Sequence, residues 1–206
     1  MDVHIFPSTK HAQIDDFCRE DIPAFRGIQH RFAGYSLDFC YHNCEVPLDF
    51  MHALDAQLLE SCVEMRLQQQ DFLPVENAGV AGMCRITESN YALFSAVHDK
   101  YSASMFWTST RIAARLKNWY IAMLNISEGY VLMNIAGDEA EVYALVAPRD
   151  HDRVNLLNAA AHHAFACAKR EILFMVDETF IHQAEEARSI GFRACGTYVA
   201  YRVEQV

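Results

Sequence analysis

No run of apolar residues in this 206-residue sequence approaches the ~18 that a membrane-spanning helix needs. The N-terminus also lacks a basic segment followed by an apolar stretch, which argues against a secretory leader. The seven cysteines are odd in number and scattered, and no two of them form a C-x-x-C pair. We therefore expect no membrane association and a reduced, cytoplasmic setting.

Basic residues are also scarce, since 17 Lys and Arg face 27 Asp and Glu and give a formal charge of −10. The deficit is uneven: residues 1–84 carry 13 acidic and 5 basic side chains and account for −8, which leaves −2 for residues 85–206. A phosphate backbone requires a basic face, so nucleic acid is an unlikely partner. The acidic first part is likewise a poor place for an anionic cofactor.

Apolar residues make up 52% of the chain, enough for a sizeable core in one large domain or two small ones. Hydrophobic periodicity predicts an α/β protein. The predicted strands before the last third are 2–6, 35–41, an extended run over 72–86 with Gly79 and Gly82 as bulges, and a hairpin of 129–135 with 140–147. The predicted helices are 10–22, a long one from Pro47 to Gln70, and helical structure over 87–124.

The last third has the order strand, loop, helix, strand, helix, strand. An apolar run over 141–147 ends at Pro148, a charged loop covers 149–153, and a helical stretch covers 154–169. A second apolar run over 172–176, a second helix and an alternating run complete the pattern. This order indicates a crossover between parallel strands, whose loop points backbone N–H groups and a positive helix end at an anionic ligand.

These residues resemble the acyl-CoA-binding core of the GNAT superfamily of N-acetyltransferases. Leu145-Val146-Ala147-Pro148 is similar to the family's strand end before its pyrophosphate loop, and Glu185 to Phe192 is similar to its last helix, which ends in Gly-Phe. The resemblance covers about residues 85–206. It implies a mixed, largely antiparallel sheet flanked by helices, acetyl-CoA as cofactor, and an amine of a small molecule or peptide as acyl acceptor. The resemblance leaves open whether the protein forms a homodimer.

The first part parallels the second half of that core. Val3 to Pro7 matches the strand that ends at Pro148, and Asp71-Phe72 matches Gly191-Phe192. We therefore divide the chain into a partial, degenerate half-repeat over 1–84 and a GNAT-like domain over 85–206.

The resemblance assigns cofactor binding to the strand end and to the loop after it. The assigned residues are Leu145, Val146, Ala147, Arg149, Arg153, Val154 and Asn155. The family's loop is Arg/Gln-x-x-Gly-x-Gly/Ala. Whether this pattern is counted from Arg149 or from Pro148, its glycine positions hold no glycine, since none occurs between Gly137 and Gly191. Asp150 and Asp152 would repel phosphate, and Arg149 and Arg153 are the charges that could compensate.

For catalysis, an amine must lose a proton and the thiolate must gain one. The family's usual tyrosine acid, four residues before the Gly of Gly-Phe, is Ala187 here. Tyr143 or Tyr198 could replace it, and Glu141 is the candidate base. These losses leave two hypotheses open: an acyl-CoA-dependent N-acyltransferase, and a catalytically degenerate GNAT-like module that binds a ligand or a partner.

The resemblance makes the aromatic-rich helices after residue 90 the acceptor wall. Tyr101 and Trp107, which flank a polar loop, are the predicted acceptor-binding residues. Cys40, His42 and Cys44 share one strand face, but a zinc ion would need a fourth ligand, so no metal site is predicted.

Overall fold

Ten strands and six α-helices form the described part of the chain, which the computed structural model covers over residues 1–75, 82–102, 107–124 and 129–204. The strands are β1 Asp2–Phe6, β2 His11–Asp15, β3 Ser36–His42, β4 Gln57–Gln68, β5 Met83–Arg85, β6 Trp119–Leu124, β7 Tyr130–Asn134, β8 Ala140–Val146, β9 Glu171–Asp177 and β10 Arg193–Val203. The helices are α1 Ile22–Ile28, α2 Leu48–Ala53, α3 Tyr91–Tyr101, α4 Ser109–Ala113, α5 Asp150–Ala166 and α6 Ile181–Ser189. None of these helices is long and apolar enough to cross a membrane.

The chain divides into two compact units, and two long strands, β4 and β10, contribute to both. The first unit is formed by Met1–Glu64, Asp177–Thr179 and Cys195–Val206, and the second by Met65–Val176 and Phe180–Ala194. The strand order is β1-β2-β3-β10-β4 in the first unit and β4-β9-β8-β7-β6-β5 in the second. Among the pairs of known register, β2–β3 and β8–β9 are parallel and the others antiparallel. The predicted mixed, largely antiparallel α/β class is confirmed.

Four phenylalanines from four different segments hold the first unit together. Phe17, Phe25, Phe39 and Phe50 are at most 4% exposed, and their ring centroids lie 5.2 to 6.5 Å apart. Most of these contacts are edge-to-face, the geometry that aromatic quadrupoles favour. The core of this unit therefore consists of packed rings.

The sheet of the second unit is covered on both faces. Successive strand residues point to opposite sides, and on β6 Tyr120 stacks on His163 of α5 whereas Trp119 and Ile121 join a different cluster. That cluster includes Phe94 of α3, Ile112 of α4 and residues of β7. Helix α5 thus covers one face, and α3 with α4 covers the other.

Three helix predictions were wrong because distant strand partners outweighed local periodicity. Residues 11–15 form β2, where Ala12 and Ile14 are fully buried, because β3 supplies a parallel ladder. The helix after Pro47 ends at Ala53, followed by Asp55 at φ +53°, and the apolar residues from Leu58 onward belong to β4. β4 lies between β9 and β10, so its backbone bonds come from strands more than 100 residues away in sequence.

Residues 119–124, predicted as helical, form β6, which is paired on both sides with β5 and β7. The extended run over 72–86 contains a strand only at Met83–Arg85, and the predicted bulge at Gly79 lies outside the described residues. The strands at 2–6, 35–41 and 172–176, the hairpin of β7 with β8, and both helices of the last third are confirmed to within a few residues.

The half-repeat, with Val3 to Pro7 matched to the strand that ends at Pro148, stays a prediction. The strand–helix–strand unit with parallel strands in the first unit is β2-α1-β3, whereas β1 pairs antiparallel with β2. A comparison with β8-α5-β9 would therefore start from β2, and Pro7 begins only a short 3-10 turn between β1 and β2.

Candidate functional site

Strands β8 and β9 separate part of the way along their length. Their parallel pairing runs from Ala140–Ile172 to Val142–Phe174, while β8 continues to Val146 and β9 to Asp177. The parallel pairing that the strand–helix–strand order predicts is confirmed. Ligands of α/β sheets bind outside the carboxyl ends of parallel strands, so the opening between these strand ends is the first candidate site.

A bulge in the β7–β8 pair changes the direction of β8 at this opening. Leu132 pairs with Ala144 and Met133 pairs with Val142, so Tyr143 is the extra residue without a partner on β7. Bulges of this kind redirect a side chain and are common beside active sites. The Tyr143 side chain packs into the cluster on the α3–α4 face.

Tyr143 lies beside two other predicted site residues. The Glu141 carboxylate raises the pKa of the Tyr143 hydroxyl and the Trp107 indole lowers it, so both side chains lie near that hydroxyl. The rings of Trp107 and Tyr143 meet edge to face with centroids 6.2 Å apart, and Trp119 lies 5.0 and 5.4 Å from them. The structure thus brings Glu141, Tyr143 and Trp107 together at the point where β8 leaves β9.

Burial sets the proton affinities of this group. It raises the pKa of the Glu141 carboxyl above its usual range, and the hydrogen bond from Tyr143 offsets this in part. Burial also raises the pKa of Tyr143, and the negative charge of Glu141 raises it further. A carboxylate with a raised pKa is a stronger base, which is the property that accepting a proton from an amine requires.

We expect Glu141→Gln to change the free energy of unfolding in a pH-dependent way. Because the folded-state pKa of Glu141 is raised, its contribution to stability is present below the unfolded pKa and is lost as pH rises through the folded pKa. Glutamine does not titrate, so the variant should gain stability relative to wild type between pH 4 and pH 8. Urea unfolding at both pH values measures this, and an equal or opposite difference would contradict the burial of the charge.

A small cavity of about 220 Å³ lies beside Glu141. Its lining includes Asn134 of β7, Glu139 of the hairpin turn and Leu173 of β9. Asn134, Glu141 and Leu173 are paired across three neighbouring strands, so their side chains share one face of the sheet. The cavity therefore lies at the hairpin end of β8 and reaches the middle pair of the β8–β9 ladder, Glu141 with Leu173. Its other carboxylate, Glu139, is paired with Arg170 at 3.4 Å.

The predicted phosphate loop has a different chemistry. Helix α5 begins at Asp150, directly after the extended Arg149, and its first turn carries Asp150 and Asp152. These carboxylates already lie at the positive end of the helix. Arg149, whose side chain is 63% exposed, donates to both Asp152 carboxylate oxygens at 2.7 and 3.2 Å.

Arg153 is engaged even more fully. Its guanidinium, 9% exposed, bonds both Glu186 carboxylate oxygens at 2.8 and 2.6 Å, Asp150 at 2.6 Å and the Ala147 carbonyl at 2.9 Å. Arg153 thus ties the end of β8 to α6. Of the other assigned cofactor residues, Leu145 is buried, and Val146, Ala147, Val154 and Asn155 are half-buried around the β8–α5 connection.

Two predicted residues lie apart from this group. The Tyr198 hydroxyl donates to Cys40 Sγ at 3.2 Å in the first unit, where its ring also packs on His42. Tyr101 is the last residue of α3, and its side chain is exposed. The Cys40 sulfur is therefore a hydrogen-bond acceptor for a tyrosine in this arrangement.

Sequence reasoning missed three residues at the site: His98, Trp119 and Glu186. Trp119 was assigned to a helix, and its indole Nε1 is buried with no hydrogen-bond partner within the described part of the chain. Glu186 is 33 residues from Arg153 in sequence, so no local pattern joins them. His98 is fully buried on α3, and its role depends on a contact with Trp107.

Comparison with solved structures identifies the fold. A GCN5-related N-acetyltransferase from Sphaerobacter thermophilus superposes with a TM-score of 0.66 at 13% identity, over 98% of this chain and 75% of that one. A tandem GNAT protein from the clavulanic acid biosynthesis pathway matches with a TM-score of 0.59 at 13% identity, over 99% of this chain and 78% of that one. This chain has the GNAT fold. A conserved protein of unknown function from Staphylococcus epidermidis shares it, with a TM-score of 0.65 at 11% identity over 99% of this chain and 90% of that one.

The sequence itself matches no family model and no curated protein. The GNAT resemblance predicts a tyrosine four residues before Gly191, but that position is Ala187, which is fully buried in α6. It also makes α3 and α4 the acceptor wall, and Trp107 and Tyr143 lie on that side of the sheet. The Tyr143 hydroxyl is close enough to the predicted base, Glu141, for each side chain to influence the pKa of the other.

Proposed function

We propose that the protein transfers an acyl group from acyl-CoA to the amine of a small molecule or peptide, and that it binds the nucleotide end of the cofactor weakly. The observation that carries this proposal is the cluster of Glu141, Tyr143 and Trp107 where β8 bulges and leaves β9, in which burial raises the pKa of the Glu141 carboxyl. Aromatic side chains and the cavity beside Glu141 favour an acceptor with one amine and an apolar or aromatic body.

Glu141 and Tyr143 each carry out one of the two proton transfers. Glu141 accepts the proton that the acceptor amine releases, and Tyr143 donates its hydroxyl proton to the leaving sulfur. The protonated Glu141 carboxyl then returns its proton to the neighbouring Tyr143 tyrosinate, which restores both residues. Bound acyl-CoA would supply the acyl group and the thiolate.

The residues present fit the thioester end of this substrate better than its pyrophosphate. The splayed strand leaves room beside β8, whereas the α5 terminus presents Asp150 and Asp152 and both nearby arginines already bind carboxylates. Backbone N–H groups reach a pyrophosphate most closely where glycine is present, and this loop has none. The pantetheine arm is therefore expected to supply most of the affinity.

Calorimetric titration with acetyl-CoA and with S-acetylpantetheine, which lacks the nucleotide, tests this expectation. We expect weak dissociation constants that differ by less than about threefold, since a charged contact of 1.4 kcal/mol would separate them tenfold. Asp150, whose side chain is 85% exposed, offers a matched variant. Asp150→Asn should strengthen acetyl-CoA binding several-fold and leave S-acetylpantetheine unchanged, because it removes one negative charge from the helix terminus.

The outcomes separate the two functions. Turnover of an arylalkylamine by wild type that is lost in Glu141→Gln and Tyr143→Phe supports the transferase. Tight acetyl-CoA binding that survives Arg149→Ala would show that the loop is a competent phosphate site. No binding of either thioester at millimolar concentration would favour the second candidate, a ligand- or partner-binding module, which the carboxylates at the α5 terminus also favour.

A further inference from the structure

The most completely buried polar side chain of the second unit is His98 on α3. It is 0% exposed, and both ring nitrogens have partners: Nδ1 lies 2.9 Å from the Tyr130 hydroxyl and Nε2 lies 2.8 Å from the Trp107 carbonyl oxygen. The imidazole also stacks on Phe94 at 4.8 Å and meets the Tyr130 ring edge to face. Its position and its orientation are therefore both fixed.

The chemistry of the partners settles the direction of both hydrogen bonds. A backbone carbonyl can only accept, so Nε2 carries the proton and donates it to Trp107. In the neutral ring Nδ1 then accepts from the Tyr130 hydroxyl. Tyr130 belongs to β7, so His98 joins the sheet to the segment that follows α3.

A second anchor holds the same segment two residues further on. Ser109 donates its hydroxyl to Asp99 of α3 at 2.9 Å, and the Tyr91 hydroxyl donates to the Ser109 carbonyl at 2.6 Å. Helix α3 thus fixes both ends of Trp107–Ser109. These contacts act on the backbone, and the backbone of Trp107 carries the indole that meets the Tyr143 ring edge to face at 6.2 Å.

We propose that His98 is a positioning residue of the acyl-transfer site, which holds Trp107 by its carbonyl so that the indole packs edge to face on Tyr143 and keeps that side chain beside Glu141. The kinetic part of this proposal rests on the proposed function, and the structural part does not. His98 touches neither Tyr143 nor Glu141 through any described contact, so it acts through Trp107.

The two amide variants of His98 separate positioning from general packing. Glutamine places an N–H donor near the Nε2 position and can keep the bond to Trp107, whereas asparagine places its oxygen near Nδ1 and can keep the bond to Tyr130. The chain has two tryptophans, so two indole N–H signals are expected in a nitrogen-15 NMR spectrum. Trp107→Phe assigns them, and Tyr143→Phe gives the position of the Trp107 signal without the neighbouring Tyr143 hydroxyl.

We expect His98→Gln to leave the Trp107 signal near its wild-type position and His98→Asn to move it toward the Tyr143→Phe position. The acceptor kcat should fall about tenfold in His98→Asn and be largely rescued in His98→Gln, since a misplacement of about 1 Å can cost a hundredfold in rate. Acetyl-CoA affinity should change in neither. Tyr130→Phe, which removes only the Nδ1 partner, should resemble His98→Gln.

Equal shifts and equal kinetic losses in both amide variants would overturn the proposal, because they would show a role in packing alone. An unmoved Trp107 signal in a folded His98→Asn protein would overturn it as well. If wild type shows no acyl transfer but the signal moves as expected, the proposed function fails while the positioning of Trp107 stands.

Discussion

Replacement of Gly191 by alanine is expected to destabilise the protein by about 4 kcal/mol, a large part of the 5–15 kcal/mol that typically holds a folded domain. Gly191 has φ +105°, and an added Cβ would overlap the carbonyl oxygen of Asp71. The backbone conformation costs about 1–3 kcal/mol for a residue other than glycine, and the overlap adds a comparable amount. The segment cannot withdraw freely, because Leu73 N–H bonds the Ile190 carbonyl at 3.0 Å and Arg193 bonds Asp71 at 2.6 Å.

Two other glycines provide controls for this measurement by urea unfolding. Gly34 has φ +79° in open space, so Gly34→Ala reports the cost of the conformation alone, roughly 1–2 kcal/mol. Gly137 has neither a close neighbour nor a positive φ, and Gly137→Ala should stay within about 0.5 kcal/mol. A Gly191→Ala protein no less stable than Gly34→Ala would mean that the Asp71 backbone moves aside at little cost.

Arg153→Ala is expected to cost about 3 kcal/mol, because it leaves Glu186 as a buried charge without its partner. Glu186 is 10% exposed and receives two hydrogen bonds from this guanidinium. The pair lies between α5 and α6, and the same arginine holds the Ala147 carbonyl at the end of β8. Loss of the arginine therefore also releases the strand end that borders the candidate cofactor opening.

The exposed arginine of the same loop is the matched control. Arg149→Ala should cost less than about 1 kcal/mol, since its side chain is 63% exposed and its charges are screened by solvent. Replacing both members of the buried pair, Arg153→Met with Glu186→Leu, should recover most of the lost stability, because no unpaired charge remains. Equal effects of Arg149→Ala and Arg153→Ala on the urea midpoint would contradict the assignment of Arg153 as the buried anchor.

The ion pairs of Arg149 and Arg153 change how the loop after Pro148 is interpreted. From the sequence, Asp150 and Asp152 repel phosphate, and Arg149 and Arg153 are the two charges that could compensate. In the folded chain Arg149 forms an ion pair with Asp152, and Arg153 forms ion pairs with Glu186 and Asp150. The assignment of these arginines to a cofactor stays a prediction, and the titration with two thioesters addresses it directly.

Local pattern was sufficient for the last third of the chain. The apolar runs of β8 and β9 are bounded by Pro148 and by charged residues, and a 17-residue helix lies between them. Hydrophobic periodicity and the residues that end each element therefore predict the same boundaries there. A strand–helix–strand order of this kind allows essentially one handedness of crossover. The parallel pair, the opening at its end and the closing strand β10 could therefore be predicted from the sequence alone.

The same reasoning failed for β2, β4 and β6, because what makes a strand of each is the neighbour that completes its hydrogen bonds. The residues of β4 have apolar side chains at helical spacing, yet they lie between two strands from the opposite end of the chain. Propensity contributes tenths of a kcal/mol per residue, which a paired and buried ladder readily exceeds.

The candidate site also combines residues that the sequence could suggest with contacts that only the tertiary structure provides. Glu141, Tyr143 and Trp107 could be named from the sequence, since their residue types suit proton transfer and an aromatic acceptor wall. Their connection depends on the one-residue bulge opposite Leu132 and Met133 and on a contact from His98 to a carbonyl nine residues away. A hydrogen bond requires atoms within about 3 Å and in line, and only the packing of α3 against the sheet brings His98 to that distance from the Trp107 carbonyl.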